Sequence, residues 1–140
     1  MSKLVVTVGL PRSGKTTYCN GILKPQGFVI VNPDSFRLAI HGERFIGAAE
    51  PFVWAAVYAA VDALRLAGHD VVVDGTHMTK KRREPWEQRS AEFVLMRATK
   101  ETCIKRAMFL HDGEIIPVIE RMASECDWPE AIGLDPAPRG

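Results

Sequence analysis

The sequence contains few cysteines and no apolar run long enough to cross a membrane. Its three cysteines, Cys19, Cys103 and Cys126, are odd in number and widely spaced, so they form neither a disulfide framework nor a zinc-binding pattern. This use of cysteine favours a reducing, cytoplasmic compartment. The apolar run that starts at Leu4 is soon interrupted by glycine and proline, which argues against a signal peptide or a membrane span there. We therefore expect no membrane partner.

A strong net charge of either sign is also missing. The chain has 18 lysine and arginine residues against 17 aspartates and glutamates, which gives a formal net charge of +1. This balance excludes a general polyanion binder, and any contact with nucleic acid must come from a local basic patch. The 140 residues, 46% of them hydrophobic, suffice for one domain with a real core, so we expect residues 1–140 to form a single domain. The sequence carries no signal for an oligomeric state.

Short β-branched runs alternate with longer helix-like segments along the chain. The predicted strands are residues 3–8, 28–31, 70–74 and 93–97. The predicted helices are residues 15–23, 50–67, 79–89, 100–110 and 116–124, with a further helix starting near Pro33. The tail from Asp127 is rich in proline and is expected to be irregular. This alternation predicts an α/β fold, a parallel sheet of about four to five strands with helices on both faces.

The segment from Gly9 to Thr16, GLPRSGKT, has the Walker A spacing and directly follows the first strand. Its glycines let several backbone N–H groups face one anion, and the next helix adds its positive N-terminal end. Lys15 can reach the β- and γ-phosphates, and the Thr16 hydroxyl can bind Mg²⁺. The alternative is a chance match, which the strand before and the helix after disfavour. The predicted nucleotide-binding residues are Gly9, Arg12, Ser13, Gly14, Lys15, Thr16 and Thr17.

Two charged residues after the second strand are candidates for the acceptor side. Asp34 and Arg37 lie three apart near the start of a helix, at the edge of the sheet where ligands bind. A carboxylate there can accept the proton of an attacking hydroxyl, and a guanidinium beside it can hold an acceptor phosphate or orient the carboxylate. The alternative is a helix cap at Asp34 and a surface arginine at Arg37.

Asp74 ends the third strand and therefore belongs to the same edge of the sheet. It could bind Mg²⁺ through water or contact the acceptor, and the alternative is a turn-forming aspartate before Gly75. Thr76 and His77 follow it, and a lone histidine such as His77 is more often structural or exposed. We therefore predict a functional role for Asp74 and give His77 little weight.

A basic run follows this edge, with Lys80, Lys81, Arg82 and Arg83 preceding Trp86. Basic residues near an aromatic side chain can bind a nucleic-acid backbone and stack on a base. The alternative is a solvated helix start, although cations at a helix N-terminus oppose its dipole and a partner anion would relieve that. We predict phosphate contact for the basic run and a core position for Trp86.

Together these segments resemble the phage polynucleotide 5′-kinase family of P-loop kinases. GLPRSGKTT, VNPDSFR, VVVDGTHMTKKRREPW and IIPVIERM each resemble a segment of that family, in the same order and as far as Met122. The resemblance implies ATP and Mg²⁺ as cofactors, Asp34 as general base and Arg37 as the group that holds the acceptor phosphate. It also implies a lid with paired arginines, of which Arg106 matches the first and Arg121 is a substitute for the second, or else a surface charge. No phosphatase activity is expected.

The chain departs from that family at Thr76, where the family has asparagine, and in its lid. A second branch of similar size, the 5-hydroxymethyluracil DNA kinases, fits these departures at least as well. The predicted function is therefore transfer of the γ-phosphate of ATP to the hydroxymethyl group of 5-hydroxymethyluracil in DNA, in the host cytoplasm if the chain is phage-encoded. The alternatives are a polynucleotide 5′-hydroxyl kinase, a small-molecule or nucleoside kinase, and a non-enzymatic nucleotide-binding module.

The expected mechanism assigns a role to each candidate. Lys15, Asp34 and Arg37 are the predicted catalytic residues, with Thr16 and Asp74 as the predicted metal ligands. The predicted acceptor-binding residues are Arg37, Asp74, Thr76, Lys81, Arg82 and Arg83. DNA is the expected substrate.

Overall fold

A parallel sheet forms the centre of the protein in the computed structural model, which describes residues 2–134. Within that range the sheet has four strands, β1 (Leu4–Val8), β2 (Val29–Val31), β3 (Val71–Val73) and β4 (Glu92–Leu95). Their order is β2-β3-β1-β4, and every neighbouring pair is parallel. This confirms the predicted parallel sheet of four to five strands.

Six α-helices surround the sheet in the described part of the chain. They are α1 (Lys15–Tyr18), α2 (Pro33–His41), α3 (Glu50–Leu66), α4 (Lys80–Glu87), α5 (Lys100–Phe109) and α6 (Ile116–Glu125). Short 3₁₀ turns at Lys24–Gln26, Gly47–Ala49, Gly113–Ile115 and Pro129–Ile132 connect them. None of the helices within residues 2–134 is long and apolar enough to cross a membrane.

The first helix differs from its prediction. Residues 15–23 were expected to form one α-helix, but α1 ends at Tyr18 and Cys19–Leu23 continues as π-helical turns. The Asn20 side chain donates through Nδ2 to the carbonyl oxygen of Thr16 at 2.9 Å. That carbonyl is the one the Asn20 backbone N–H would use in an α-helix, so the side chain competes with the α-helical pattern.

Alternating side chains of β1 divide the core between the two faces of the sheet. Leu4 and Val6 pack with α3 and with the fully buried Trp86 of α4, which confirms the predicted core position of Trp86. Val5 packs on the opposite face against the π-helical segment after α1. Because a strand points successive side chains to opposite faces, a continuous apolar run such as β1 needs helices on both sides.

The segment after α6 is more ordered than its proline content predicts. Pro129–Ile132 forms a 3₁₀ turn, and its Ala131 and Ile132 are buried beside α5 and α6. Trp128 packs edge-on against Phe93 of β4, with ring centroids 6.2 Å apart. The tail is therefore regular at residues 129–132 and irregular on either side of that turn as far as Leu134, and its apolar side chains complete the core. The prolines at 136 and 138 lie outside the described residues.

Candidate functional site

The loop between β1 and α1 is shaped by its two glycines. The Gly9 N–H donates to the carbonyl oxygen of Thr76 at 3.0 Å. A Cβ at Gly9 would lie 2.6 Å from Ser13 Oγ and 2.8 Å from Met96 Cβ, so no larger residue fits. Gly14 has a φ of 101° immediately before α1, a conformation that favours glycine. The loop therefore has the close-packed geometry that the Walker A spacing predicts.

Lys15 lies beneath this loop and is only 8% exposed. Its Nζ donates to the carbonyl oxygens of Leu10 at 2.6 Å and Gly9 at 3.2 Å. Burial lowers the pKa of Lys15 to about 8, although the nearby charges of Asp74 and Asp34 partly oppose this shift. Two predicted acceptor-side carboxylates are thus close enough to Lys15 to act on its charge, as their common position at one edge of the sheet requires.

Thr16 and Asp74, the two predicted metal ligands, are in direct contact. The Thr16 hydroxyl donates to Asp74 Oδ2 at 2.9 Å, and Asp74 is buried. One hydroxyl and one carboxylate suit Mg²⁺, which keeps several waters and completes its shell with phosphate oxygens. No group of three or more His, Cys, Asp or Glu side chains within residues 2–134 could hold a metal alone. The residues present therefore fit a magnesium–nucleotide complex rather than a protein-only metal site.

Thr7 and His77 fix the loop that carries Asp74. The Thr7 hydroxyl donates to the Gly75 carbonyl and accepts from the Gly75 N–H, both at 3.0 Å. His77 Nε2 accepts from the Trp86 indole at 3.0 Å, and Nδ1 lies 2.9 Å from the Thr7 carbonyl oxygen, which requires a proton on Nδ1. Burial lowers the pKa of His77 to about 4, so the ring is neutral at pH 7. His77 is thus a buried structural residue.

Asp34 lies in the first turn of α2 with a side chain that is 76% exposed. The N-cap of this helix is Asn32, whose Oδ1 accepts the Asp34 N–H at 2.8 Å. The Asp34 carboxylate is therefore not needed to cap the helix. Its Oδ1 accepts from Arg37 Nη1 at 2.7 Å, which leaves the other carboxylate oxygen open to a substrate hydroxyl.

Arg37 is held from its other side by Glu50, a buried residue at the start of α3. Arg37 Nε donates to Glu50 Oε2 at 3.0 Å, and Nη2 donates to Oε1 at 2.8 Å. Hydrogen bonding with Arg37 is the main cause that lowers the pKa of Glu50. Arg37 was predicted to hold an acceptor phosphate or to orient the carboxylate, and its contacts in the structure match the second role. Sequence reasoning missed Glu50, which reads as an ordinary acidic residue in a first helical turn.

The basic run at the start of α4 divides into surface and interior residues. Lys81 and Arg82 are exposed, and the Arg82 guanidinium lies 5.3 Å from the ring centroid of Trp54. Arg83 instead is 6% exposed, donates to the His77 carbonyl at 2.9 Å and pairs with Asp127. This corrects the prediction of an acceptor contact for Arg83, because its donors are engaged within the protein. Thr76 is half-buried and contributes its carbonyl to the Gly9 N–H.

The two predicted lid arginines have different surroundings. Arg106 on α5 donates through Nη1 to the Arg12 carbonyl oxygen at 3.1 Å, which places it at the phosphate loop. Arg121 is exposed on α6, and its Nε lies 4.0 Å from Glu125 on the same helix. The Arg12 side chain, also a predicted phosphate contact, donates to Asp112 Oδ2 at 2.7 Å. The remaining loop candidate, Thr17, is exposed on α1.

These features define a P-loop nucleotide-binding protein with an α/β P-loop kinase fold. A family model described as AAA domain matches residues 4–107, and the chain belongs to that family.

Solved structures show the same fold. A chain of the Pnkp1/Rnl/Hen1 RNA repair complex superposes with a TM-score of 0.69 at 22% identity, over 90% of this chain and 46% of that one. A second structure of the Pnkp1/Rnl/Hen1 complex gives a TM-score of 0.66 at 27% identity, over 75% and 38%. A gluconokinase from Sinorhizobium meliloti 1021 gives 0.63 at 16% identity, over 91% and 76%. The chain thus spans less than half the length of the RNA repair chains it matches.

Proposed function

We propose that this protein is an ATP-dependent kinase that phosphorylates a hydroxyl group in nucleic acid, with the hydroxymethyl group of 5-hydroxymethyluracil in DNA as the preferred acceptor. The observation that carries the proposal is the exposed Asp34 carboxylate, fixed by Arg37 and close enough to Lys15 to influence its charge. A nucleotide-binding switch needs no such carboxylate opposite its phosphate loop, whereas a kinase needs a base there.

The chemistry follows from the positions of these groups. Asp34 accepts the proton of the acceptor hydroxyl. The hydroxyl oxygen attacks the γ-phosphorus of ATP in line with the departing ADP oxygen. The Lys15 ammonium and the backbone N–H groups of the loop stabilise the negative charge on the phosphate oxygens. Thr16 and Asp74 would hold Mg²⁺, which neutralises part of the phosphate charge. Arg37 keeps the Asp34 carboxylate in place.

The surface around Asp34 supports a nucleic-acid acceptor. Lys81 and Arg82 offer exposed cations at the start of α4, and a chain with a net charge of only +1 must rely on such local groups. Phe45, between α2 and α3, and Phe52, in the first turn of α3, are 65% and 70% exposed. Exposed aromatic rings can stack on bases, and exposed cations can contact phosphates. The choice of 5-hydroxymethyluracil rests on the sequence resemblance.

A polynucleotide 5′-hydroxyl kinase is the second candidate, and the similarity to chains of an RNA repair complex favours it. It uses the same base and the same donor site, and only the position of the acceptor hydroxyl differs. A small-molecule kinase is a third candidate because of the similarity to a gluconokinase fold. It would require no nucleic acid and would show little dependence of acceptor binding on salt.

Transfer of labelled phosphate from ATP tests these candidates on one panel of acceptors. The panel contains DNA with internal 5-hydroxymethyluracil, DNA and RNA with 5′-hydroxyl ends, nucleosides and gluconate. Label on an internal base is expected, and label at an end would instead establish the second candidate. Label only on nucleosides or gluconate would overturn the nucleic-acid proposal. Nucleotide binding without transfer to any hydroxyl would overturn the kinase proposal itself.

A further inference from the structure

We propose that Arg12 and Arg44 form a binding site for the polyphosphate of the nucleotide, and that the Asp112 carboxylate is an internal anion which the polyphosphate displaces. Arg12 belongs to the phosphate loop, Arg44 to the connection between α2 and α3, and Asp112 to the connection after α5. The inference deepens the proposed function, since it concerns nucleotide binding at the same site. Its test measures binding without any acceptor.

The geometry around Asp112 is that of an anion held by two guanidinium groups. Its Oδ2 accepts from Arg12 Nη2 at 2.7 Å and from Arg44 Nη2 at 3.0 Å. Its Oδ1 accepts from Arg44 Nη1 at 3.2 Å. Arg44 thus binds the carboxylate through two N–H groups, the bidentate arrangement that arginine also uses for phosphate. The same donors can therefore bind phosphate oxygens without a change of chemistry.

The pair joins the phosphate loop, which carries Arg12, to Arg44 in the connection after the helix of the proposed base. Arg106 donates to the Arg12 carbonyl oxygen at 3.1 Å, so a third guanidinium approaches the same loop. The charge of Asp34 contributes to raising the pKa of Arg44, which means that Arg44 lies within electrostatic range of the base. The γ-phosphate must sit between the loop and the base if the transfer is to occur. Arg12 and Arg44 therefore flank the path of the transferred group.

The backbone supports a functional reading of this contact. Arg12 has a φ of 66° and His111, directly before Asp112, has a φ of 54°. Both values lie in the left-handed region, which residues with a side chain adopt rarely. Such conformations cluster at ligand-binding sites, where surrounding structure maintains them. Here they occur at Arg12 and at the residue before Asp112, and Arg12 and Asp112 form one ion pair.

The arginine side of the Asp112 contact is open to solvent. The Arg44 side chain is 60% exposed, while its second acidic neighbour, Glu114, is 3.9 Å away and 90% exposed. The Asp112 side chain is only 13% exposed, so another anion can approach the pair from the side of Arg44. The hydrogen bonds from Arg44 and Arg12 lower the pKa of Asp112, so at neutral pH its carboxylate is ionised and competes with other anions. A polyphosphate carries more charge and more acceptor oxygens than one carboxylate, and it wins that competition.

The test compares two variants whose effects on nucleotide affinity should have opposite signs. Arg44→Ala removes donors, and its Kd for ATP and for inorganic triphosphate should rise about tenfold, as expected for one lost charge-assisted contact. Asp112→Asn removes the competing anion, and its Kd for the same two probes should fall. The Kd for AMP should change little in either variant. Binding is measured calorimetrically with the full chain and without an acceptor.

Asp62→Asn is the matched control for Asp112→Asn, because Asp62 likewise accepts two hydrogen bonds from one arginine, Arg89, on the surface of α3. Its nucleotide affinity should equal that of the unmodified protein. The proposal is overturned if Arg44→Ala and Asp112→Asn both weaken the binding of ATP and triphosphate, or if neither changes it. Asp112 would then have only a structural role. Arg44→Gln repeats the test with a side chain that keeps more of the volume. Absence of phosphate transfer would refute the proposed function but would leave this binding result standing.

Discussion

On the phosphate-donor side of the site, defined as residues 9–16 with Asp74, Lys15 and Asp74 are buried, whereas the proposed reactive carboxylate of the acceptor side is exposed. Lys15 is 8% exposed, and Asp34 is 76% exposed. Lys15 is held by backbone carbonyls five and six residues away in the sequence. Asp34 is held by a chain of side chains that passes through Arg37 to Glu50 on another helix.

This difference shows what each half is built to do. The donor side binds a group of fixed shape, so a rigid loop with preorganised N–H groups serves it well. In the proposed reaction the acceptor side admits and releases the substrate, and side chains on a helix surface allow that. Variants on the acceptor side should therefore lower turnover alone, whereas variants on the donor side should also lower the affinity for ATP.

The largest effect is expected for Asp34→Asn, which removes the proton acceptor and keeps the shape of the side chain. Turnover should fall about 10²- to 10⁴-fold, the usual contribution of general base catalysis. The Kd for ATP should stay within about twofold, because Asp34 is proposed to contact the acceptor hydroxyl and the substitution keeps the size of an exposed side chain. Steady-state phosphate transfer and calorimetric ATP binding measure the two quantities.

Near-normal turnover in Asp34→Asn would remove Asp34 as the base. Loss of ATP affinity in the same variant would show that the two sides of the site are not separate. Ser35→Ala serves as the control, since Ser35 is the neighbouring exposed residue of α2.

Lys15→Met should act on the donor side instead. Loss of one preorganised cation at the transferred phosphate should reduce turnover about 10²- to 10³-fold. ATP affinity should fall as well, which distinguishes this variant from Asp34→Asn.

The pH dependence of ATP binding gives an independent test of the same lysine. The pKa of Lys15 is about 8 in the protein, and bound phosphate should raise it because the ammonium gains an anionic partner. Above pH 8 the free protein must then take up a proton to bind ATP, so affinity should decline by up to about tenfold per pH unit. Below pH 8 the lysine is already charged and affinity should be flat. Lys15→Met should lack the decline, and an unchanged decline in that variant would assign it to another group.

The donor side could be predicted almost residue by residue, because its contacts lie within one short segment. The Walker A spacing predicted the loop residues Gly9, Gly14 and Lys15. The apolar strand before this segment predicted that the loop lies at the end of a strand of the sheet. The alternation of strands and helices also predicted that Asp34 and Asp74 share an edge with this loop. These predictions succeed because a parallel sheet brings the ends of its strands together by its geometry alone.

The contacts outside the phosphate loop could not be predicted, because they depend on packing between distant segments. Arg44 and Asp112 are separated by 68 residues, and each reads as a solvated charge in a polar loop. The sequence places Glu50 in a first helical turn, where acidic residues are common for electrostatic reasons alone. Arg83 could not be distinguished from Arg82 in a run of four cations, since only the position of Asp127 decides which of them turns inward.

Glu50→Gln should produce a moderate effect on the acceptor side. The amide keeps the volume of the carboxylate but gives Arg37 a neutral partner in place of an ionised one. Turnover should fall about tenfold, the equivalent of one weakened charge-assisted hydrogen bond, while ATP affinity stays unchanged. Asp62→Asn, which weakens the Arg89 pair on α3, is the matched control and should leave both quantities unchanged.

The smallest effect is expected at one of the two predicted lid residues, and Arg106→Ala and Arg121→Ala compare these two exposed arginines. Arg106 contacts the phosphate loop, so its loss should reduce turnover by about tenfold, as for one charge-assisted contact. Arg121 lies 4.0 Å from Glu125 on its own helix, and such surface pairs contribute little, so its loss should change turnover by no more than about twofold. Single-turnover transfer at saturating ATP measures both. If Arg121→Ala proves the more damaging variant, α6 must swing its arginine onto the phosphates during the reaction, and the lid clamp belongs to Arg121 instead of Arg106.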